Sequence, residues 1–195
     1  MLLVVGLGNP GSRYRGNRHN VGVMAVDRFA ADHRADAYRT GFHSLHTRTR
    51  VGARHVLLLC PQTYMNLSGQ AVREAMQFFK ISLQDVIVVH DDLDLPFGGL
   101  RIKRAGGTAG HQGLASIVQS CGGPEFCRLR IGIGRPPAPV PAERYVLSDF
   151  STEEGTRLGD VLQSASAALG DLIEQGPEAA MNAHNRSPGE SPGGD

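Results

Sequence analysis

Two short, fully apolar runs limit the folds that this chain of 195 residues can adopt. They are LLVV at residues 2–5 and VIVV at residues 86–89, and each is followed closely by glycine or polar residues. Strands that are buried on both faces have continuous apolar sequences, whereas half-buried strands alternate. Between the two runs, Val23, Val26 and Ala30 have the spacing of a helix. The sequence therefore predicts an α/β fold, with some antiparallel pairing in its sheet.

The rest of the chain continues this alternation of strands and helices. Ser68 is expected to cap a helix that extends to Lys80, and Ser151 and Glu154 have the spacing of a capping box. We expect one domain over residues 1–186, followed by a disordered tail over the low-complexity residues 187–195. Further strands are predicted at 43–50, 55–60, 100–103 and 126–134, and helices at 21–33, 114–120, 151–174 and 179–185.

Composition excludes several classes of protein. No apolar run approaches the roughly 18–20 residues of a membrane-spanning helix, and the first residues lack the basic start of a signal peptide. We therefore expect a cytoplasmic protein that does not associate with a membrane. The three cysteines form no C-x-x-C pair and predict neither a disulfide framework nor a zinc finger. The net charge is only +1, but residues 101–135 hold six basic residues and one acidic residue. That segment could bind phosphate or form a solvated face.

The glycine-rich stretch after the first strand has two interpretations. Residues 6–11 (GLGNPG) match G-x-G-x-x-G, a pattern that can bind the pyrophosphate of a dinucleotide. However, the next residues, SRYRG, begin a helix poorly, and Asp27, the acid at the expected distance, lies within a helical pattern. We favour the second interpretation, in which the glycines turn the chain sharply. That turn would present Asn9 at the carboxyl end of the sheet, where open α/β sheets have their clefts.

Polar residues collect in five stretches that follow strands or precede helices, and together they could form a hydrolytic site. Neutral His19 could act as a general base, with Asp91 accepting its other ring N–H and fixing the tautomer. Amide groups of Asn9 or Asn66 could hold the carbonyl oxygen or the oxyanion. The five stretches are GNPG at 8–11, RHN at 18–20, YMNLSG at 64–69, HDDLD at 90–94 and GHQG at 110–113.

Other interpretations of these residues remain open at this point. A single histidine in a loop is most often a surface residue, and loop carboxylates are most often solvated. A metal site is also conceivable, since imidazole and carboxylate suit Zn²⁺ or Mn²⁺, although no H-E-x-x-H spacing is present. Its ligands would be His90, Asp91, Asp92 and His111. No G-x-S-x-G motif is present, so no serine nucleophile is predicted.

Six motifs, in register over residues 2 to about 186, resemble the bacterial peptidyl-tRNA hydrolase family. They are VVGLGNPG (4–11), RHNVG (18–22), YMNLSG (64–69), HDDLDLP (90–96), GGTAGHQG (106–113) and RLRIGIGRP (128–136). The resemblance implies a monomer with one α/β domain, whose mixed, twisted sheet is surrounded by helices. It also implies an enzyme that cleaves the ester between a nascent peptide and the 3′ end of tRNA, with no metal and no organic cofactor.

The resemblance further implies roles for individual residues. His19 matches the catalytic base of the family, and Asp91 matches the residue that orients it. Lys103 and Arg130 match a basic pair that binds a tRNA phosphate. The residues implied to bind substrate are Asn9, Tyr14, Tyr64, Met65, Asn66, His111 and Gln112.

Two positions depart from the family's pattern. Gln112 replaces the asparagine of G-H-N-G, which keeps the amide but moves it one methylene further out. Asn17 replaces a threonine, and because both side chains can hydrogen-bond locally, we expect little consequence. Three rival functions remain: a catalytically silent RNA-binding homologue of the same fold, a metal-dependent hydrolase of another ester, and an oxidoreductase with a nucleotide cofactor.

Overall fold

The computed structural model describes residues 1–185, which form one seven-stranded sheet between two layers of helices. The strands are β1 (Leu2–Gly6), β2 (Arg39–Gly41), β3 (Ser44–Val51), β4 (Arg54–Pro61), β5 (Val86–Asp92), β6 (Leu100–Arg104) and β7 (Cys127–Gly132). The helices are α1 (Val21–Asp32), α2 (Ser68–Phe79), α3 (Gln112–Cys121), α4 (Ala142–Val146), α5 (Thr152–Gln175) and α6 (Pro177–His184). None of these helices is both long enough and apolar enough to cross a lipid bilayer. The predicted tail at 187–195 lies outside the described residues, so the domain boundary at 186 stays a prediction.

The strand order in the sheet is β2-β3-β4-β1-β5-β7-β6. The four inner strands, β4, β1, β5 and β7, are parallel, whereas β2, β3 and β6 pair antiparallel at the two sides. This confirms the predicted α/β class and the mixed sheet. The carboxyl ends of the four parallel strands meet at one edge of the sheet, and three of the polar stretches named above begin there.

The two apolar runs are buried on both faces because helices cover both sides of the sheet. Val4 packs in a core that includes residues of α1 and α5, while its neighbours Leu3 and Val5 pack in a second core with residues of α2 and α3. The run in β5 alternates between the same two cores. Each fully buried aliphatic side chain contributes about 1.5–3 kcal/mol, which explains why these strands have no polar face.

Glycine at position 22 lets α1 begin directly against the ends of β1 and β5. A Cβ added to Gly22 would overlap the carbonyl oxygen of Val89 and lie 2.8 Å from that of Leu7. Gly6 allows the same approach from the strand, since a Cβ there would lie 2.8 Å from the Gly22 carbonyl oxygen. The backbone N–H of Val23 then donates to Leu7 at 3.2 Å. This close packing brings the residues just before α1 to the carboxyl edge of the sheet.

The ends of two helices test the predicted caps. The capping box at α5 is confirmed: the Ser151 hydroxyl accepts from the Glu154 N–H, and the Glu154 carboxylate accepts from the Ser151 N–H at 2.7 Å. The prediction that Ser68 caps α2 is wrong. Ser68 has helical angles, Leu67 takes the cap position, and the Ser68 hydroxyl is buried without a hydrogen-bond partner among the described residues. The chain enters α2 through a 3-10 turn at Met65–Leu67, which shifts the start of the helix.

The outer side of β6 meets the end of α6 through one side chain. The Asn185 amide accepts a hydrogen bond from the backbone N–H of Ile102 at 2.7 Å and donates one to the carbonyl of Ile102 at 2.8 Å. Ile102 is the central residue of β6, whose other side pairs with β7. The short strand β2 was not predicted, because its sequence, RTG, has no apolar residue to mark it.

Candidate active site

A cleft of about 850 Å³ opens at the carboxyl edge of the parallel strands. Its walls come from the segments that follow β1, β4 and β5, from the glycine-rich segment before α3, and from α4. Tyr14 is not among its lining residues; it lies in the 3-10 turn Ser12–Tyr14, where its hydroxyl contacts Arg13. The other ten predicted site residues line the cleft: Asn9, His19, Tyr64, Met65, Asn66, Asp91, Lys103, His111, Gln112 and Arg130.

The carboxylate of Asp91 joins two histidines at the base of the cleft. Its Oδ1 atom lies 2.8 Å from Nδ1 of His19 and 3.0 Å from Nε2 of His111. His111 caps α3, because its Nδ1 accepts the backbone N–H groups of Gly113 and Leu114. The proton of the neutral His111 ring therefore resides on Nε2, which donates it to Asp91.

Asp91 is ionised despite its burial. Its side chain is only 3% exposed, and burial alone raises the pKa of a carboxyl group. The electrostatic attraction and hydrogen bonds of the imidazole N–H groups, first of His111 and then of His19, outweigh burial and hold the pKa of Asp91 far below its ordinary value. An ionised carboxylate only accepts, so Nδ1 of His19 donates, and the lone pair of the neutral ring lies on Nε2. In the described part of the chain, no protein group hydrogen-bonds this Nε2 atom.

His90 supports this arrangement from within β5. Its Nδ1 donates to the backbone carbonyl of Asp91 at 2.7 Å, and its ring meets the His111 ring edge-on, with centroids 4.9 Å apart. Burial, followed by the nearby His111, lowers the pKa of His90 to about 3, so the ring is neutral at pH 7. From the sequence, His90 was considered only as a metal ligand. In the structure its ring packs against His111 and bonds the backbone of Asp91.

The metal site considered from the sequence does not form with the residues named for it. Asp92 is engaged by Arg130, and His90 bonds the backbone. Among residues 1–185, the group whose donor atoms converge, within 4.8 Å of one another, is His19, Asp91 and His111. Since both imidazoles already donate N–H groups to one carboxylate oxygen, a cation between them would have to replace two protons.

Asn9 is held by a network that sequence reasoning missed. Its side-chain Oδ1 accepts the backbone N–H of Met65 at 2.9 Å, which links the segment after β1 to the segment after β4. The Asn20 amide contacts both backbone groups of Asn9, accepting from its N–H at 3.0 Å and donating to its carbonyl at 2.9 Å. Asn20 is buried and was noted only as part of the RHN stretch. Its position next to His19 was the one feature of the sequence that could have marked it as part of the site.

The segment that carries His19 is also fastened from the far end of the chain. The Arg18 guanidinium donates to both carboxylate oxygens of Glu154, at 2.8 and 2.7 Å, and lies over the ring of Tyr145 at 4.3 Å. Asn17 donates to Asp149 at 2.6 Å, a residue 132 positions away, so its hydrogen bond is not local; the small consequence expected for the asparagine at this position stays a prediction. These contacts tie the residues beside His19 to α5 and the loop before it.

The basic residues at the cleft differ in their surroundings. Arg130, on β7, donates to Asp92 at 2.6 Å, and this bond outweighs burial and lowers the pKa of Asp92. Lys103, on β6, is exposed and has no ion-pair partner within residues 1–185. Tyr64, Asn66 and Gln112 are also exposed at the rim. The rim thus presents amide, phenol and ammonium groups to solvent.

The glycine-rich stretch after β1 does not have the geometry of a dinucleotide site. Gly11 adopts φ of 102° and leads into the 3-10 turn at Ser12–Tyr14, not into a helix. Asp27, the acid at the distance expected for ribose, lies in α1 and accepts a hydrogen bond from Tyr38 at 2.7 Å. The turn instead delivers Asn9 to the cleft, as the second interpretation predicted.

Comparison with known proteins identifies a family to which this chain is similar. The family model described as Peptidyl-tRNA hydrolase matches residues 3–191 of this chain. A protein named peptidyl-tRNA hydrolase from Sorangium cellulosum (strain So ce56) is 49% identical over 190 residues, which cover 96% of this chain and 85% of that protein. One of the same name from Desulfitobacterium hafniense (strain Y51) is 43% identical over 186 residues, covering 95% of this chain and 100% of the other.

The fold agrees with a solved structure of similar sequence. The crystal structure of peptidyl-tRNA hydrolase from Acinetobacter baumannii superimposes with a TM-score of 0.87 at 37% sequence identity. The match covers 95% of this chain and 94% of that chain.

Proposed function

The chain belongs to the peptidyl-tRNA hydrolase family, and from this premise we propose how its cleft hydrolyses the ester between a peptide and the 3′ end of a tRNA. The substrate is peptidyl-tRNA. The rival interpretation, a catalytically silent RNA-binding homologue, is not supported by relatives that are named as hydrolases along nearly their whole length.

His19 is the proposed general base. The observation that carries this role is the 2.8 Å contact between its Nδ1 and Oδ1 of Asp91. Because the carboxylate fixes the proton on Nδ1, the lone pair on Nε2 is available to a water molecule in the cleft. The charge of Asp91 also stabilises the imidazolium that forms when Nε2 takes a proton.

The reaction requires one water molecule and no external reagent. Nε2 of His19 removes a proton from the water as its oxygen attacks the ester carbonyl, which gives a tetrahedral intermediate with one negative oxygen. The intermediate then collapses, the bond to the ribose oxygen breaks, and the imidazolium returns its proton to that leaving oxygen. The products are a tRNA with a free hydroxyl at its 3′ end and a peptide with a free carboxyl group, which then loses its proton to solvent.

Asn9 is the proposed donor to the negative oxygen. Its Oδ1 is occupied by the Met65 N–H, so its Nδ2 is left as the donor, and Asn20 fixes the backbone that carries it. A donor held in advance costs no reorganisation when charge develops. Asn66 at the rim offers a second amide. Tyr64, Met65 and Gln112 are proposed to contact the peptide or the terminal nucleotide. Tyr14 lies outside the cleft, and its role in substrate binding stays a prediction.

Lys103 and Arg130 are proposed to bind a tRNA phosphate. They lie on the adjacent strands β6 and β7, and both line the cleft. Lys103 is free to approach a phosphate directly, whereas Arg130 must share its guanidinium with Asp92. Arginine has five donors in its fork, so it can hold Asp92 through Nε and present its terminal nitrogens to the phosphate.

Incubation of the purified chain with an N-blocked aminoacyl-tRNA tests the proposed function. We expect release of free tRNA and of the blocked amino acid, and we expect the rate to survive exhaustive chelation. Loss of activity on chelation would favour the rival metal-dependent hydrolase. A monomeric state and a cytoplasmic location stay predictions; sedimentation of the purified chain tests the first.

A further inference from the structure

The buried guanidinium of Arg128 takes no part in the mechanism above. Arg128 is the second residue of β7, and only 2% of it is exposed. No carboxylate pairs with it in the described part of the chain. A charge buried without a counter-ion is costly unless its N–H groups are bonded. The hydrogen bonds of Arg128 must therefore offset the cost of burying its charge.

Arg128 bonds two consecutive backbone carbonyls. One terminal nitrogen donates to Gly107 and the other to Gly106, each at 2.6 Å. The guanidinium also lies over the ring of Phe126, 4.7 Å from its centroid. The planar fork of arginine can contact two neighbouring oxygens at once, whereas the ammonium of lysine acts as a point charge. Both acceptors belong to residues 105–111, which we call the glycine loop.

The glycine loop has a backbone that needs external support. Ala105, Gly106, Ala109 and Gly110 all have positive φ, at 57°, 109°, 48° and 80°. Alanine adopts this conformation rarely, because its Cβ approaches the following carbonyl oxygen. Such a backbone persists only where surrounding contacts fix it. Arg128 supplies two of these contacts in the first half of the loop.

The second half of the glycine loop leads to the reacting groups. The His111 N–H donates to the Thr108 carbonyl at 2.9 Å, which closes the loop just after the two residues that Arg128 holds. His111 then reaches Asp91 at 3.0 Å, and Gln112 follows at the cleft. A continuous set of contacts therefore runs from β7 through the loop to the carboxylate that orients His19.

We infer that Arg128 is a positioning residue of the hydrolase, which holds the glycine loop so that His111 reaches Asp91 and Gln112 faces the substrate. This inference rests on the proposed function. It assigns Arg128 a role distinct from that of Lys103 and Arg130, since its two terminal nitrogens both donate to the protein backbone. Its Nε, which is buried without a partner among residues 1–185, plays no part in this role.

The substitution Arg128→Lys tests the inference, with Arg39→Lys on the exposed strand β2 as the matched control. Because misplacement of a reacting group by about 1 Å can cost about 100-fold, we expect kcat to fall by about 10- to 100-fold in Arg128→Lys, with KM and the salt dependence of KM unchanged. Hydrogen exchange should quicken at residues 106–111 and stay unchanged in β5. Arg39→Lys should change neither.

Two results would overturn the inference. A raised KM and a flatter salt dependence at unchanged kcat would show that Arg128 contacts the tRNA. Faster exchange throughout the sheet would show that Arg128 only stabilises the fold.

A measurement on the unaltered protein covers the case in which the variant does not fold. By NMR, the guanidinium protons of Arg128 should exchange slowly and show couplings through hydrogen bonds to the carbonyl carbons of Gly106 and Gly107. Rapid exchange with water and no couplings would contradict the inference. If the unaltered protein fails to hydrolyse peptidyl-tRNA, the proposed function fails, while these spectra still decide whether Arg128 holds the loop.

Discussion

His19 Nδ1 lies 2.8 Å from Asp91 Oδ1, although 72 residues separate the two along the chain. The contact follows from the sheet, in which β1 and β5 are parallel neighbours, and from Gly22, which lets α1 begin directly above their ends. The same carboxylate oxygen also accepts from His111. One oxygen therefore orients the proposed base, His19, and holds the segment before α3 through His111.

Removal of the imidazole at position 19 should slow turnover strongly but spare binding. In His19→Ala we expect kcat to fall by about 10²- to 10⁴-fold, the usual contribution of a general base, with the affinity for tRNA unchanged. Single-turnover assays and filter binding measure the two quantities. His43→Ala is the control, because His43 is exposed in the turn between β2 and β3. An equal loss of binding and turnover would contradict the role of a base.

Loss of the ammonium at position 103 should act on binding alone. Each phosphate contact contributes about −0.7 to −0.9 to the slope of log affinity against log salt concentration. In Lys103→Ala we therefore expect a higher KM, a slope less steep by about that amount, and an unchanged kcat. Measurement of KM across a salt series checks this. A slope equal to that of the unaltered enzyme would place Lys103 outside the interface.

The amide at position 112 offers a test of the departure from G-H-N-G. Gln112 is exposed at the start of α3, where it lines the cleft. If its amide contacts substrate or water, Gln112→Ala should reduce kcat/KM by about tenfold or more, below the 10²- to 10³-fold cost of a full oxyanion donor. Gln112→Asn should retain or raise kcat/KM. Equal activity of all three proteins would show that this side chain is idle.

Acid should remove the contribution of one ion pair to stability. The hydrogen bonds from Arg18 lower the pKa of Glu154 to about 2, so its ionised form stabilises the fold above its unfolded pKa of about 4.3. That contribution is lost as pH falls from about 4.3 toward 2. Glu154→Gln, which keeps the capping box, should lower the free energy of unfolding by about 1.5–3 kcal/mol at pH 7.

Urea unfolding of the Glu154→Gln and unaltered proteins between pH 3 and 7 measures this difference, which should shrink at the acid end. Glu153→Gln, on the same turn of α5 but exposed, is the control and should change stability by less than about 1 kcal/mol. A difference between Glu154→Gln and the unaltered protein that is independent of pH would refute the role of the charge.

Two glycine-to-alanine substitutions should have opposite effects. In Gly22→Ala the new Cβ would overlap the Val89 carbonyl oxygen, so we expect a loss of about 3 kcal/mol or more in the free energy of unfolding. In Gly155→Ala, within α5, nothing lies within 4 Å of the new Cβ, and the gain should be about 0.5–1 kcal/mol. Thermal and urea unfolding of both variants check the pair.

Local patterns predicted much of this fold, because the forces behind them are local. The apolar runs of β1 and β5 required helices on both faces, and the pairing of Ser151 with Glu154 marked the start of α5. Ser68 misled because the turn before it, not its own hydroxyl, begins α2. The strand β2 is short and polar, and only its pairing with β3 makes it a strand.

The sequence predicted which polar residues line the cleft, but not the contacts that hold those residues in place. The hydrogen bond from Arg18 to Glu154 joins residues 136 positions apart, and no pattern in the sequence predicts it. The same is true of Arg128, which in an alternating strand looks like a surface residue until the glycine loop covers it. The position of Asn20 next to His19 suggested that it belongs to the site. Its hydrogen bonds to Asn9 could not be predicted, because a turn of the chain brings the two residues together.

The amide of Asn185 has a consequence for the behaviour of the molecule in a crowded solution. Sheet margins with open backbone groups serve as templates on which other chains can stack, which leads to fibres. By satisfying both backbone groups of Ile102, the asparagine terminates the sheet with a side chain, to which no further strand can add at that residue. The basic strand β6 thereby borders the cleft without offering its central backbone groups to other copies of the protein.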